Sequence, residues 1–459
     1  MFASRTGSAR AAARTAYLVV AAACLATAIV IPALFGARAE RIYRESVAQL
    51  GTTGRVFRLE SYRRGWFSSQ AVVSVTAGRG AITFVQHVHH GPLGFYNGWH
   101  VAFPVAAVVD TEPPSALKNN LDRFFGEAPI YISTVVEMDG TLDTYVSRAA
   151  TVRSAAAQKF TARFDGFDLE VHLSKDAYVI RGDAPGVMAA GGFGEAGIAG
   201  LTIRGESHRH PSGLWLGDKV LKISRVNYSI VAAGARPSAS GLINDIALAG
   251  QSRIGAGHLN VRDTLSVGTI AAGAVRLGAM SLGFEFSNLP VDAIQRFVDA
   301  LSSIPPSAPG QQTQQSPIVK RQILELLVAA IKESPILSID LYAASAAGEA
   351  RGKARFGISA DLANDPMLNN LLSQGKGLVA QAWNKYGRAS AELIAPAGLL
   401  AQITRPEQLK QLEQSGILIR DRANYVCRAA FKDGRWLVNG HEMKFPAPPS
   451  RPNLTSRSS

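Results

Sequence analysis

The chain has 459 residues, 47% of them hydrophobic, and a formal net charge of +13. This apolar content excludes disorder for most of the chain, and the length is sufficient for a large core or for two to three domains. The arginines are scattered among apolar residues and form no single basic stripe, so the charge does not indicate a nucleic-acid partner. A basic protein that faces anionic lipid fits this distribution better.

The first predicted element is a membrane-spanning helix. Residues 16–36 form an uncharged apolar run, which as a helix is long enough to cross a hydrocarbon core of roughly 30 Å. Residues 1–15 carry arginines and no acidic residue, which predicts a cytoplasmic N-terminus and a body on the far side of the membrane. Two alternatives compete with an uncleaved anchor, namely signal cleavage at Ala37-Arg38-Ala39 and lipidation of Cys24.

Beyond the anchor, residues 40–304 are predicted to form a β-rich region on the far side of the membrane, which begins with a short amphipathic helix over Glu40–Leu50. Apolar and polar residues alternate in KFTARFD (159–165), DLEVHLS (168–174) and SLGFEFS (281–287), as in strands with one dry and one solvated face. We expect a mostly β protein of the α+β class. Its core element is predicted to be an extended, curved antiparallel sheet with helical insertions in the second half.

The second half is predicted to contain a Pro/Gln-rich linker at 305–317, a C-terminal α+β region at 318–445 and a disordered tail at 446–459. The predicted helices are Val291–Leu301, Pro317–Lys332, Asp365–Trp383 and Pro406–Gln414. A closing hairpin is predicted over Tyr425–Phe445, with turns at KDGR and NGHE.

The densest run of chemically active side chains is HVHHGPL, residues 87–93. His87 and His89 share a strand face and His90 follows, but a zinc site needs further ligands, and no second group of matching spacing stands in the chain. The alternative is that Gly91-Pro92 ends a strand and the histidines form polar contacts between strands. No nucleophile elbow or HExxH motif occurs. We therefore expect neither an enzyme nor a cofactor, and a metal-dependent protein using these histidines remains the alternative.

A second motif precedes the histidines. It reads Tyr62-Arg63-Arg64-Gly65-Trp66-Phe67-Ser68-Ser69 and is followed by an alternating strand and then by His90-Gly91-Pro92-Leu93. This order resembles the opening of the YdgA-like bacterial proteins (domain of unknown function 945). Ser334-Pro335, the segment 391–396 and the segment 425–440 continue the resemblance, so it covers nearly the whole chain.

The resemblance implies a single-pass inner-membrane protein of Gram-negative bacteria with a periplasmic body, and it assigns no catalytic residue. In outline the chain is also similar to AsmA-like envelope proteins, whose curved sheets offer an apolar groove to lipids. We expect a non-enzymatic envelope protein that shields or binds lipid or another apolar partner, such as a further envelope protein. Its oligomeric state is left open, with a homodimer as one option. The residues expected to line the groove are Phe160, Phe164, Leu169, Val171, Phe284 and Phe286.

Overall fold

A computed structural model describes residues 35–45, 47, 57–77, 80–96, 100–155, 160–192, 194–231, 237–273, 275–302, 326, 328–366 and 376–443. Most of the expected anchor, together with residues 1–15, the linker and the tail, lies outside the described residues. Within the described part, no helix combines the length and apolar character needed to cross a membrane.

The described chain is mostly β, with a large antiparallel sheet and a few helices, as predicted. The strands of the first half are β1 (Phe57–Arg64), β2 (Ser68–Ala77), β3 (Gly80–His90), β4 (Gly94–Tyr96), β5 (His100–Ala102), β6 (Val105–Glu112), β7 (Ile130–Glu137), β8 (Leu142–Arg148), β9 (Thr151–Ala155), β10 (Phe160–Phe164), β11 (Phe167–Leu173), β12 (Ala177–Gly191), β13 (Gly194–Arg209) and β14 (Trp215–Val231). The remaining strands are β15 (Pro237–Gly255), β16 (His258–Val267), β17 (Thr269–Ala272), β18 (Val275–Leu277), β19 (Met280–Pro290), β20 (Ile336–Ser345), β21 (Gly348–Ile358), β22 (Gly387–Pro396), β23 (Ile419–Asp421), β24 (Asn424–Lys432), β25 (Arg435–Val438) and β26 (His441–Met443).

The helices are not confined to the second half of the chain. They are α1 (35–45), α2 (Ser115–Phe125), α3 (Val291–Ser302), α4 (328–332), α5 (Lys376–Tyr386), α6 (Ala397–Ile403) and α7 (Pro406–Gln414), with a 3-10 helix at Ala360–Asn364. The prediction for α7 is confirmed and that for α3 differs by one residue at its end. The helix predicted over Asp365–Trp383 is wrong in its bounds, because Asp365 caps the 3-10 helix and α5 runs on to Tyr386.

The chain divides into two compact units. The first contains residues 1–254, 267–274 and 291–326, and the second contains residues 255–266, 275–290 and 327–459. This division does not fall at the predicted linker. Strand β19, which precedes the linker, belongs to the second unit because it pairs along its length with β20.

The sheet of the first unit runs through antiparallel neighbours in the order β1, β2, β3, β6, β7, β8, β11, β12, β13, β14 and β15. The far end of β12 also pairs with β10, which pairs with β9. Strands β4 and β5 form a separate ribbon. The alternation predicted for KFTARFD is confirmed, since Ala162 and Phe164 are buried while Thr161 and Arg163 are exposed.

In the second unit, β16 pairs with β19, and β19, β20, β21, β22 and β24 are successive antiparallel neighbours. The predicted closing hairpin is confirmed. Asp433 and Gly434 have φ values of 54° and 75°, and Asn439 and Gly440 have φ values of 50° and 85°. Two successive residues with positive φ are typical of the type I′ turns that match the twist of paired strands. The chain therefore turns twice between β24, β25 and β26.

A buried arginine lies beneath α2. Nη2 of Arg148 donates to Oδ1 of Asp122 at 3.1 Å and to the carbonyl of Gly126 at 2.7 Å. Its guanidinium carbon lies 5.6 Å from the ring centroid of Phe164. Nε and Nη1 are buried without a hydrogen-bond partner among the described residues. Only part of the hydrogen-bonding capacity of Arg148 is therefore used, and Asp122 is the carboxylate that balances its buried positive charge.

We expect Asp122→Asn to lower the unfolding temperature more than Arg148→Met does. The first change leaves a buried guanidinium without its carboxylate, whereas methionine fills a similar volume without a charge and is expected to cost less than about 1.5 kcal/mol. Thermal unfolding of the detergent-solubilised full chain measures both variants. A larger loss for Arg148→Met would show that the ion pair itself stabilises the unit.

Candidate functional site

Helix α1 packs on one face of the first sheet, over strands that include β2, where the Tyr62–Ser69 motif ends. Gly36, Ala39 and Tyr43 recur at the spacing of one helical face, and all three are buried. Ala39 and Tyr43 join a core on β2, β3, β6 and β7. The other members of that core are Ala71, Val73, Val88, Ala106, Ala107, Val109 and Val136. Gly36, which the sequence assigned to the end of the anchor, is thus part of a helix docked on the body.

The first turn of α1 packs against the ring of His90. A Cβ placed on Gly36 would lie 2.6 Å from Nδ1 of His90, so only glycine allows the helix to approach the ring this closely. The same Nδ1 lies 3.2 Å from the carbonyl of Trp66, and Nε2 lies 2.8 Å from Oγ of Ser69. Because a carbonyl only accepts, Nδ1 carries the proton and Nε2 accepts from the serine hydroxyl. We call Gly36, Trp66, Ser69 and His90 the helix socket.

Burial lowers the pKa of His90 below its ordinary value of 6.5. The unfolded chain therefore binds a proton more readily than the folded chain does. The stability that neutral His90 contributes is fully present above pH 6.5 and is lost as the pH falls towards the lower folded pKa. We expect the gap in unfolding temperature between pH 8 and pH 5 to be smaller in His90→Gln than in the wild type. An unchanged gap would contradict this account of the socket.

The motif glycines are required by close backbone contacts. A Cβ on Gly65 would lie 2.4 Å from the carbonyl oxygen of Ser68, and a Cβ on Gly91 would lie 1.8 Å from that of Val105. Strands β2 and β3 pair directly, with Ser69 opposite Val88. The last two motif residues, Ser68 and Ser69, begin β2, and His87, His89 and His90 lie at the end of β3, so they belong to the two strands of one hairpin.

The other two histidines lie on the opposite face of β3 from the socket. Nε2 of His87 lies 2.9 Å from a carboxylate oxygen of Glu112, and Nε2 of His89 lies 3.3 Å from one of Asp110, both on neighbouring β6. Both pairs are solvent-exposed. In the described part of the chain, no three histidine, cysteine or acidic side chains are grouped so that they could hold a metal ion. The structure thus places these histidines in contacts between strands.

A second feature of the same sheet is an apolar stripe across β11 to β15. Residues directly opposite each other on neighbouring strands share a face. The register places one row of them across the five strands, and it consists of Leu169, Gly182, Ile203, Leu221 and Leu248. Adjacent rows on this face add Val171 and Ile180, and Leu201, Ile223 and Ile246. We call these leucines, isoleucines and valine the apolar stripe.

Gly182 on β12 lies between Leu169 on β11 and Ile203 on β13, and the absence of a side chain there allows these two side chains to extend over β12. A Cβ on Gly182 would lie 2.7 Å from Cγ2 of Ile203 and 2.9 Å from Cδ1 of Leu169. The stripe residues are nevertheless partly exposed, and Leu248 is 46% exposed. On β8, Leu142 packs against the α1 core and lies opposite Leu173 of β11. The stripe therefore continues an apolar face that α1 covers at its other end.

The reverse face of the same strands is polar. Arg181 stands opposite Arg204, and Thr202 lies between Asp183 and Lys222. These four charged side chains are exposed. The reverse face thus carries most of the charge, although Val220 and Ala249 continue the row of Arg181 and Arg204, and Lys219 lies on the stripe face opposite Gly205. An apolar ligand would therefore meet more apolar side chains on the stripe face than on the reverse face.

The structure divides the residues that the sequence assigned to a groove. Leu169 and Val171 lie in the apolar stripe. Phe164 is 8% exposed, and its ring packs near those of Phe125 and Phe167, so it belongs to the core under α2. Phe160 lies on the same strand, β10. Phe284 and Phe286 lie on β19 in the second unit and are exposed.

Cys427, the second of the two cysteines in the sequence, lies on β24. It is partly buried, and burial raises the pKa of its thiol. A raised pKa leaves the thiol protonated and unreactive at neutral pH.

Comparison with known proteins identifies one family. A family model described as a bacterial protein of unknown function (DUF945) matches residues 14–446. The match includes the motif, the helix socket and the apolar stripe. Neither the curated proteins nor the solved structures give a match to the chain. The likeness to AsmA-like proteins therefore stays an analogy of outline.

Proposed function

The chain belongs to the bacterial DUF945 family, and we propose that it is a non-enzymatic envelope protein that holds lipid acyl chains on the apolar stripe. In this proposal residues 16–35 anchor it in the inner membrane of a Gram-negative bacterium. The N-terminus is cytoplasmic and the β-rich body is periplasmic. Digestion of the body by protease added to spheroplasts would support that topology, and protection of the body would contradict it.

The stripe is the observation that carries the proposal. Its branched apolar side chains lie in register on five neighbouring strands, while the reverse face carries the exposed charges of Arg181, Asp183, Arg204 and Lys222. Five strands at the usual spacing span about 19 Å, which is comparable with an extended fatty acyl chain. Burial of such a chain contributes about 0.8 kcal/mol for each methylene removed from water. A surface of this kind is therefore suited to binding an acyl chain and is not suited to binding a small polar substrate.

Native mass spectrometry of the detergent-extracted full chain tests this function. We expect a peak at the mass of the chain plus phospholipid that survives exchange into a second detergent. Spectra that contain only the bare chain, with lipid supplied throughout, would contradict the proposal. A stoichiometric metal ion in place of lipid would instead support the alternative based on His87, His89 and His90.

A further inference from the structure

Large apolar side chains face solvent at one end of the first sheet. Trp66 and Phe67 lie in the turn between β1 and β2, and the others lie between β3 and β6. The full set is Trp66, Phe67, Leu93, Phe95, Val101 and Phe103, each more than half exposed. We call this set the end patch.

Backbone contacts hold the end patch together. The amide of His90 donates to the carbonyl of Phe67 at 3.0 Å, and the amide of Val105 donates to that of Pro92 at 3.0 Å. The β4–β5 ribbon lies beside β6, since a Cβ on Gly94 would meet Cγ2 of Val108 at 2.2 Å. These contacts bring the segments of Phe67, Leu93 and Phe103 to the same end of the sheet, and exposed apolar side chains clustered in this way mark contact sites.

Helix α1 begins at this same end. Gly36 touches His90, the last residue of β3, whereas Tyr43 donates its hydroxyl hydrogen to Oε1 of Gln86, further back along that strand. The helix therefore runs away from the end patch, and its first described residue is Phe35. In the sequence, α1 directly follows the apolar residues 16–34.

We propose that the end patch enters the lipid headgroup and upper acyl region of the same bilayer that residues 16–35 cross. The inference rests on the membrane anchoring proposed above. Tryptophan, phenylalanine and leucine are side chains that bury at membrane interfaces. The exposed Arg63, near the end of β1 that leads into the Trp66–Phe67 turn, supplies positive charge for anionic headgroups. Lipid is the occupant because α1, which begins at this end, directly continues the apolar run that we propose to cross the bilayer.

Site-directed spin labelling tests the inference. In a Cys24→Ala, Cys427→Ala background, labels are attached at Phe103→Cys and Leu93→Cys, and the full chain is reconstituted into vesicles of phosphatidylethanolamine and phosphatidylglycerol. Power saturation measures the access of oxygen, which concentrates in lipid, and of a water-soluble nickel complex. The control is Val152→Cys on β9, because Val152 is also an exposed apolar residue of the first unit, at 69% exposure.

We expect the ratio of oxygen access to nickel access to be several-fold higher at both patch labels than at the control. Equal ratios in a chain that floats with the vesicles would overturn the patch inference and leave the anchor intact. Patch labels closed to both reagents would also overturn it, because protein then covers the patch, either a second copy or residues 1–34. A chain that does not float would overturn the proposed anchoring and this inference together.

Discussion

Tyr43→Ala is expected to destabilise the first unit by about 3–5 kcal/mol, the usual cost of removing a large buried aromatic side chain. Tyr43 is buried in the α1 core, and its ring centroid lies 5.6 Å from that of Tyr62. Its hydroxyl donates to Gln86, whose amide in turn donates to Oγ1 of Thr111 at 2.9 Å. The substitution therefore removes packing and also leaves Oε1 of Gln86 without this donor.

Chemical denaturation of the detergent-solubilised chain measures this change. Arg41→Ala is the matched control, because Arg41 lies two residues away on the exposed side of α1, and surface changes of this kind usually stay within about 0.5 kcal/mol. Equal stability of the two variants would show that α1 is not docked on the sheet as described.

The largest functional effect is expected from the double variant Ile203→Gln, Leu221→Gln. These residues stand directly opposite each other in the centre of the apolar stripe. Loss of two apolar contacts of about 1.5 kcal/mol each weakens lipid binding by roughly 100-fold. In native mass spectra, the lipid-bound peak should fall to a small fraction of its wild-type intensity.

The matched control for the stripe uses the next residue on each of the same strands. Arg204 and Lys222 are exposed on the reverse face, so the double variant Arg204→Gln, Lys222→Gln changes the same strands without touching the stripe. It should retain the lipid peak. Equal loss in both double variants would mean that the strands, and not one face, determine binding.

The sequence was sufficient where local chemistry decides the structure. Asp433-Gly434 and Asn439-Gly440 adopt positive φ with little strain, so the turns of the closing hairpin could be predicted. Pro406 suits the first turn of a helix, and α7 begins there. By contrast, α2 was missed. It follows Pro114, which makes no side-chain cap, and no residue within it is buried.

The candidate site could be predicted only in part, because it depends on pairings distant in sequence. The alternation around Leu169 and Val171 indicated an apolar face, but the register that adds Ile203, Leu221 and Leu248 could not be obtained from periodicity. The helix socket brings Gly36 to His90 across a long separation in the chain. The available signal was a glycine just past an apolar run, and this signal does not indicate that His90 is the residue it contacts.

Photo-crosslinking in cells tests the central claim most directly. A photoreactive phenylalanine analogue is placed at Leu221 on the stripe or at Lys222 on the reverse face, and adducts are identified by mass. The account predicts phospholipid adducts at position 221 and few or none at position 222. Equal yields at both positions, or no phospholipid at 221 in a chain that is folded and membrane-bound, would contradict it.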